Sequence, residues 1–291
     1  MGKNSPWWLK IFIKIIISRL PISYRLWKRM GLFEHGKMNS HVYSVDTFFS
    51  HLNRLSLSPE NLKGLVILEL GPGDSISTSI IASCFGAKTI LLDAGDFVQK
   101  DLLEYSELIN YLKKQGYKTS HLEDCHDFDD LLKATRTTYL TKGLKSYDSI
   151  PSDSIDIIIS QAVLEHIRQH ELEQTLRENK RILEKNGSCS HQIDLKDHLS
   201  SGLNNLRFKS RIWESNIFSQ SGFYTNRVRF SALIEILKQI GFKVKVDEVN
   251  VWKKLPIKKE KLNQEKTNQK KKNKLTKRLI LAHDMADIGF F

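Results

Sequence analysis

Leu65-Val66-Ile67-Leu68-Glu69-Leu70-Gly71-Pro72-Gly73-Asp74-Ser75 is a short apolar run that stops at two glycines around a proline. A run of this length, rich in branched side chains and closed by turn residues, predicts a strand buried on both faces rather than a helix. Residues 75–85, closed by Gly86, read as a short helix, and Lys88-Thr89-Ile90-Leu91-Leu92-Asp93 reads as a second buried strand. Strand, helix and strand in such quick succession are the repeating unit of a parallel sheet with helices packed on its faces.

The alternation continues towards the carboxyl end. A helix is predicted over 98–114, a third strand over 139–143, and a fourth at Ser154-Ile155-Asp156-Ile157-Ile158-Ile159-Ser160. The fourth strand leads into a predicted helix that holds Leu164-Glu165-His166-Ile167. A further helix over 171–183 is expected to stop at Asn186-Gly187, residues that suit a left-handed cap. The fifth strand is placed at 188–195, followed by an irregular stretch over 196–222 that is too long for an ordinary connection and so marked for function. A helix over 231–240 and strands over 242–252 and 286–291 complete an α/β chain with a doubly wound, mostly parallel seven-stranded sheet. Residues 1–60 form a helical extension before the main domain at 61–291.

The chain has 291 residues, of which 40% are hydrophobic and 27% charged, enough apolar material for a core and too ordered a pattern for global disorder. Cys84, Cys125 and Cys189 stand far apart, so neither a disulfide framework nor a cysteine zinc site is expected, and a reducing, cytoplasmic setting fits. The net charge is +12, yet residues 253–278 hold twelve Lys and Arg against Glu260 and Glu265, which is +10 in one Lys/Asn/Gln-rich stretch. The loop at 254–283 therefore reads as a solvated polybasic segment, able to meet an anionic membrane or, as an alternative, nucleic acid.

The longest apolar run, at 7–17, is interrupted by Lys10 and Lys14 and is shorter than the ~20 residues a membrane span requires. Lys10, Lys14 and Ser18 stack at i, i+4 and i+8 into one polar stripe on an otherwise apolar helix. That pattern predicts packing against the domain or a second subunit, or a peripheral position in a membrane interface with residues 1–20. Ser18-Arg19-Leu20-Pro21 lacks the small residues of a signal-peptide cleavage site.

Asp93 closes the second strand twenty residues after Gly73. A carboxylate at that distance from a glycine turn can accept hydrogen bonds from both hydroxyls of a ribose. A nicotinamide dinucleotide would want a third glycine at position 76, where this chain has Ile. The block from Glu69 to Ser75, with Asp93 and Asp156-Ile157-Ile158-Ile159-Ser160-Gln161-Ala162-Val163-Leu164-Glu165-His166, resembles the class I S-adenosylmethionine-dependent methyltransferases.

The resemblance implies a Rossmann-like methyltransferase fold, S-adenosyl-L-methionine as cofactor, and transfer of its methyl group. It makes Glu69, Gly71 and Gly73 cofactor-loop residues, Asp93 the ribose ligand, and Ser160 with Gln161 the floor of the site. Ser75 stands where many members carry a third glycine, and Gly143-Leu144 replaces an Asp-containing pair, so adenine contact falls to Leu144 and to backbone. Ser219-Gln220-Ser221-Gly222-Phe223-Tyr224-Thr225-Asn226-Arg227 looks like the tail of bacterial members that modify small molecules or glycan and lipid precursors.

His191, in the fifth strand, is the candidate general base for a hydroxyl acceptor, with Asp194 orienting it or the substrate. A hydrogen-bonded structural histidine is the competing account. His191, Asp194, Asp197 and His198 could also be read as metal ligands, but alternation in a strand splits neighbours between faces, and no metal is expected. Asn204-Asn205-Leu206-Arg207-Phe208-Lys209-Ser210-Arg211-Ile212-Trp213 mixes planar donors with aromatics, as either a sugar- or anion-binding stretch or a lid. The rival functions are nucleic-acid binding or methylation through the polybasic loop, and a relative that binds the cofactor without turnover.

Overall fold

A computed structural model describes residues 6–17, 19, 38, 40–197, 199, 202–251 and 283–290, the last group and Lys10 without their side chains. The sheet is built from β1 (Val66–Leu70), β2 (Lys88–Leu92), β3 (Thr137–Leu140), β4 (Ile155–Gln161), β5 (Leu183–Ile193), β6 (Val244–Val251) and β7 (His283–Phe290). Its order is β3-β2-β1-β4-β5-β7-β6. The first five strands of that order run parallel, while β7 is antiparallel to both β5 and β6.

Ile67, Leu68, Glu69 and Leu70 of β1 are all buried, as a central strand covered on both faces requires. The strand order reverses between β1 and β4, which opens a crevice at their carboxyl ends.

Nine helices are described: α1 (Trp7–Ile17), α2 (His41–Arg54), α3 (Ser77–Ser83), α4 (Leu103–Lys114), α5 (Phe128–Ala134), α6 (Gln169–Ile182), α7 (Ser210–Trp213), α8 (Asn216–Ser219) and α9 (Phe230–Ile240). One core lies under α2, α3 and α4, where Phe48, Leu52, Ile80 and Leu108 meet Ile67, Leu91, Ile157 and Ile159 of the sheet. On the other face, Leu172 and Leu176 of α6 and Leu233 and Leu237 of α9 meet Leu68, Leu92 and Ile158. Because α2 supplies Val45, Phe48, Leu52 and Leu55 to the first core, this part of the amino-terminal region is built into the main domain.

Two expectations are corrected, and one element is added. The segment holding Leu164-Glu165-His166-Ile167 is a run of turns and not a helix, and α6 begins only at Gln169. Ala162 opens this segment at φ +54°, a left-handed conformation that a helix cannot continue. Asn186-Gly187 does not cap α6: the chain turns extended at Leu183 and both residues lie within β5. Gly187 is used for close approach, since a Cβ there would come 2.8 Å from Leu183 Cδ1 and 3.0 Å from the Asp156 carbonyl oxygen. Helix α5 was not foreseen, although Asp127 caps it by accepting the Asp130 N–H at 2.8 Å, and Phe128, Leu131 and Leu132 follow at helical spacing.

The stretch over 196–222 carries a short 3₁₀ turn, α7 and α8, gathered around a wholly buried Trp213. The Trp213 indole N–H donates to the Thr225 carbonyl at 2.7 Å, and Phe208, Phe218, Phe223 and Tyr224 surround the ring. Trp213→Ala should cost about 3–5 kcal/mol in urea unfolding, the range for emptying a large aromatic site.

Candidate active site

The crevice is built where β1, β2 and β3 end together. The Gly71 N–H donates to the Leu92 carbonyl at 2.8 Å, Asp93 N–H to the Leu140 carbonyl at 2.8 Å, and Gly143 N–H to the Asp93 carbonyl at 2.9 Å. These bonds bring the glycine turn, Asp93 and the Gly143-Leu144 pair to one rim. Gly71 and Gly73 sit at φ +69° and +67°, the left-handed region that favours glycine. The turn and the carboxylate face each other directly: the Gly73 N–H donates to Asp93 Oδ2 at 3.1 Å, and the Ala94 N–H donates to Oδ1 at 2.6 Å.

Burial pushes the Asp93 carboxyl up to about 6, against the pull of the Ala94 and Gly73 N–H groups. Burial also pushes Glu69 up to about 8, opposed by a hydrogen bond with Thr78 and helped by the Asp93 charge. Glu69 Oε2 is a buried oxygen that no hydrogen-bond donor among the described residues reaches. An acceptor of this kind two residues before a glycine turn is what a donor-bearing ligand in the crevice would satisfy. The residues present therefore fit an adenosyl compound with ribose hydroxyls and an amino group.

Ser160 and Gln161 close β4 but point to opposite faces of the sheet. Ser160 Oγ lies 2.6 Å from His191 Nδ1, its in-register neighbour, and both residues are buried. Gln161 is half-buried, and its Nε2 donates to the Tyr43 hydroxyl of α2 at 3.1 Å. His191 has 0% of its surface exposed, and burial pulls its imidazole down to about 3. It is a neutral, wholly buried partner of Ser160 within the sheet.

Asp194 does emerge, just past the end of β5. Its N–H donates to Glu165 Oε1 at 3.1 Å, and its carboxylate lies 3.9 Å from Lys196 Nζ. Leu144 is half-buried against the α6 and α9 core. Among the described residues no three His, Cys, Asp or Glu side chains gather as metal ligands. His198 and the polybasic segment at 253–278 lie outside the described residues.

Sequence reasoning missed the contribution of α2 and the turn after β4. His51 Nδ1 lies 2.8 Å from Ser190 Oγ, and burial, with Arg54 and His191 nearby, pulls His51 down to about 3. Val45, Phe48, His51 and Leu52 fall on one helical face, a spacing that could have shown His51 pointing inward. Val163 packs on Gly71, and Ser77 Oγ donates to the Met38 carbonyl at 3.0 Å, bringing residue 38 beside the turn.

The stretch over 196–222 and the residues that follow it are held by polar groups. Asp197 accepts the Leu199 N–H at 3.0 Å and the Asn204 backbone N–H. Arg227 pairs with Glu214 at 3.2 Å, and the Tyr224 hydroxyl donates to the same carboxylate at 2.5 Å. Asn226 Nδ2 donates to the Leu164 and Ile167 carbonyls at 2.7 and 2.9 Å, tying this stretch to the turn after β4. Arg207 lies over the Trp7 ring at 5.1 Å and so packs on α1.

Residues 68–190 match the family model described as a methyltransferase domain. No curated protein matches the chain. Similar solved structures include phosphoethanolamine N-methyltransferase 2 of Haemonchus contortus in complex with S-adenosyl-L-methionine, 16% identical, covering 84% of this chain and 51% of that one, with a TM-score of 0.45. A SAM dependent methyltransferase from Archaeoglobus fulgidus is 14% identical, with coverages of 83% and 91% and a TM-score of 0.42. An S-adenosylmethionine dependent methyltransferase from Mesorhizobium loti is 13% identical, with coverages of 81% and 94% and a TM-score of 0.41. The chain spans about half the length of the Haemonchus protein, 51%. Among the described residues no helix is long and apolar enough to cross a membrane.

Proposed function

We propose, from the premise that residues 68–190 form a class I S-adenosylmethionine-dependent methyltransferase domain, that the chain methylates a hydroxyl of a small-molecule, glycan or lipid-linked acceptor. The observation that carries the cofactor side is the hydrogen bond from the Gly73 N–H to Asp93 at 3.1 Å, which sets the turn and the ribose-binding carboxylate in one crevice. Bound S-adenosylmethionine supplies a sulfonium-held methyl group for in-line displacement. The chain's own task is to align the acceptor oxygen with it, an effect worth several kcal/mol.

Glu69, Gly71 and Gly73 hold the amino-acid end of the cofactor, Asp93 the ribose, and Leu144 one side of the adenine. Gln161, fixed by Tyr43, forms the floor. A hydroxyl acceptor must also give up a proton. Asp194, at the carboxyl end of β5 and partly exposed, is the group we assign to orient that hydroxyl and accept its proton, while His191 holds Ser160 in place.

The test has two stages. Calorimetric titration with S-adenosylmethionine and its demethylated product should show binding, and no binding of either would overturn the reading. Incubation with hydroxyl-bearing small molecules and lipid-linked sugars should then give a product heavier by one methylene. On that product, Asp194→Asn should lower kcat about 100-fold while leaving cofactor affinity unchanged. An unchanged kcat would remove Asp194 from the chemistry.

A further inference from the structure

Helix α1 is apolar on two adjacent sides, and the domain uses one of them. Trp7, Ile11 and Ile15 pack on Phe208, Trp213 and Phe218. Trp8, Phe12 and Ile16 repeat at i, i+4 and i+8 on the next side and are 57%, 62% and 46% exposed. Ile217 of α8, 53% exposed, adjoins the end of α1, because Arg19 Nη2 donates to the Ile217 carbonyl at 3.0 Å. A row of this kind, with a tryptophan and a phenylalanine turned outward, is not explained by folding.

The charges around it choose the occupant. Residues 7–17 contain Lys10 and Lys14 and no acid, and both lysine positions fall roughly opposite the exposed row. Arg19 follows α1, and Lys209 and Arg211 are exposed on the stretch against which α1 packs through Phe208 and Trp213. A second copy seated on the same row by two-fold symmetry would bring Arg19, Lys209 and Arg211 against the same basic groups of its partner, with no acid in α1 to offset them. An anionic lipid surface would gain from the apolar row and from the exposed Arg19, Lys209 and Arg211, with the Lys10 and Lys14 positions on the water side of the helix.

We propose that Trp8, Phe12 and Ile16 of α1 form the surface by which the protein docks in the interface of an anionic bilayer. In this orientation the helix lies flat, the aromatic rings sit at headgroup depth, and the insertion around Trp213 flanks the helix on its adjacent side. The proposal goes beyond the methyl-transfer reading and does not depend on it.

The test compares the full chain with a Trp8→Ser/Phe12→Ser variant by flotation on phosphatidylcholine vesicles with and without phosphatidylglycerol. Both replaced side chains are exposed, so melting temperature and S-adenosylmethionine affinity should match in the two proteins. The full chain should float with the anionic vesicles and not with neutral ones, and the variant's partition should fall at least about tenfold. Brominated lipid should quench tryptophan fluorescence in the full chain and much less in the variant. Failure of the full chain to float would overturn the proposal, as would equal flotation of the variant, which would leave binding to the polybasic segment. A concentration-dependent dimer that the variant abolishes would also overturn it, by assigning the row to a second copy.

Discussion

Asp93→Ala should weaken binding of S-adenosylmethionine and its demethylated product by about 10- to 100-fold, the loss expected for charge-assisted hydrogen bonds of about 1.5–3 kcal/mol. The carboxylate also holds the turn through the Gly73 and Ala94 N–H groups, at 3.1 and 2.6 Å. Asp93→Asn is therefore the sharper variant: its amide keeps the shape and one acceptor while removing the charge. Calorimetric titration would measure both. Affinity equal to that of the parent would mean that the ribose is held elsewhere.

The raised carboxyl of Asp93 gives this prediction a pH dependence. Its ordinary value is 3.8 and its folded value about 6, so between these the folded chain retains a proton that the unfolded chain has released. The contribution of Asp93 to folding stability is therefore lost as pH rises through that window. Glu69 acts in the same direction between 4.5 and about 8. Ribose hydroxyls prefer the ionised Asp93, so cofactor affinity should rise as pH passes about 6, and the cofactor should stabilise the protein more at pH 7.5 than at pH 5.5. Thermal melts at both values, with and without the demethylated cofactor, would check the sign.

Gly71→Ala should cost about 2–5 kcal/mol and abolish cofactor binding at ordinary concentrations. At φ +69° an alanine is strained by roughly 1–2 kcal/mol. Its Cβ would also come 2.6 Å from Val163 Cγ2, adding about 1–3 kcal/mol of overpacking. The two contributions can be separated. Gly71→Ala with Val163→Ala should recover the steric part and leave the backbone strain, and full recovery in urea unfolding would show that the left-handed turn costs nothing here.

The strands were legible because burial on both faces leaves a nearly continuous apolar run: β1, β2 and β4 were each placed to within one residue, while β5 was expected to begin at 188 and begins at Leu183. Asp93 and the glycine turn were legible because their chemistry depends on spacing along neighbouring strands. What the sequence hid depends on contacts across space. Asn186-Gly187 looks like a cap, and only the approach of Asp156 shows why the glycine is needed. His191 looked reactive because a strand end is where catalytic groups gather. That it lies against Ser160, with no exposed surface, depends on register and on the layer covering that face. The resemblance makes Gly71 a cofactor-loop residue, and only the structure shows that the side chain lying against it is Val163.

The bond between His51 and Ser190 joins positions 139 residues apart. Helix α2 precedes the whole parallel sheet in the chain, yet it rests on β5, so its final docking must wait for five strands to assemble. Long-distance closure of this kind slows folding, because the intervening chain must be ordered before the contact forms. Trimming the chain as far as residue 40 should lower the midpoint of urea unfolding far less than trimming through α2, because the second cut empties the places of Phe48 and Leu52 in the first core.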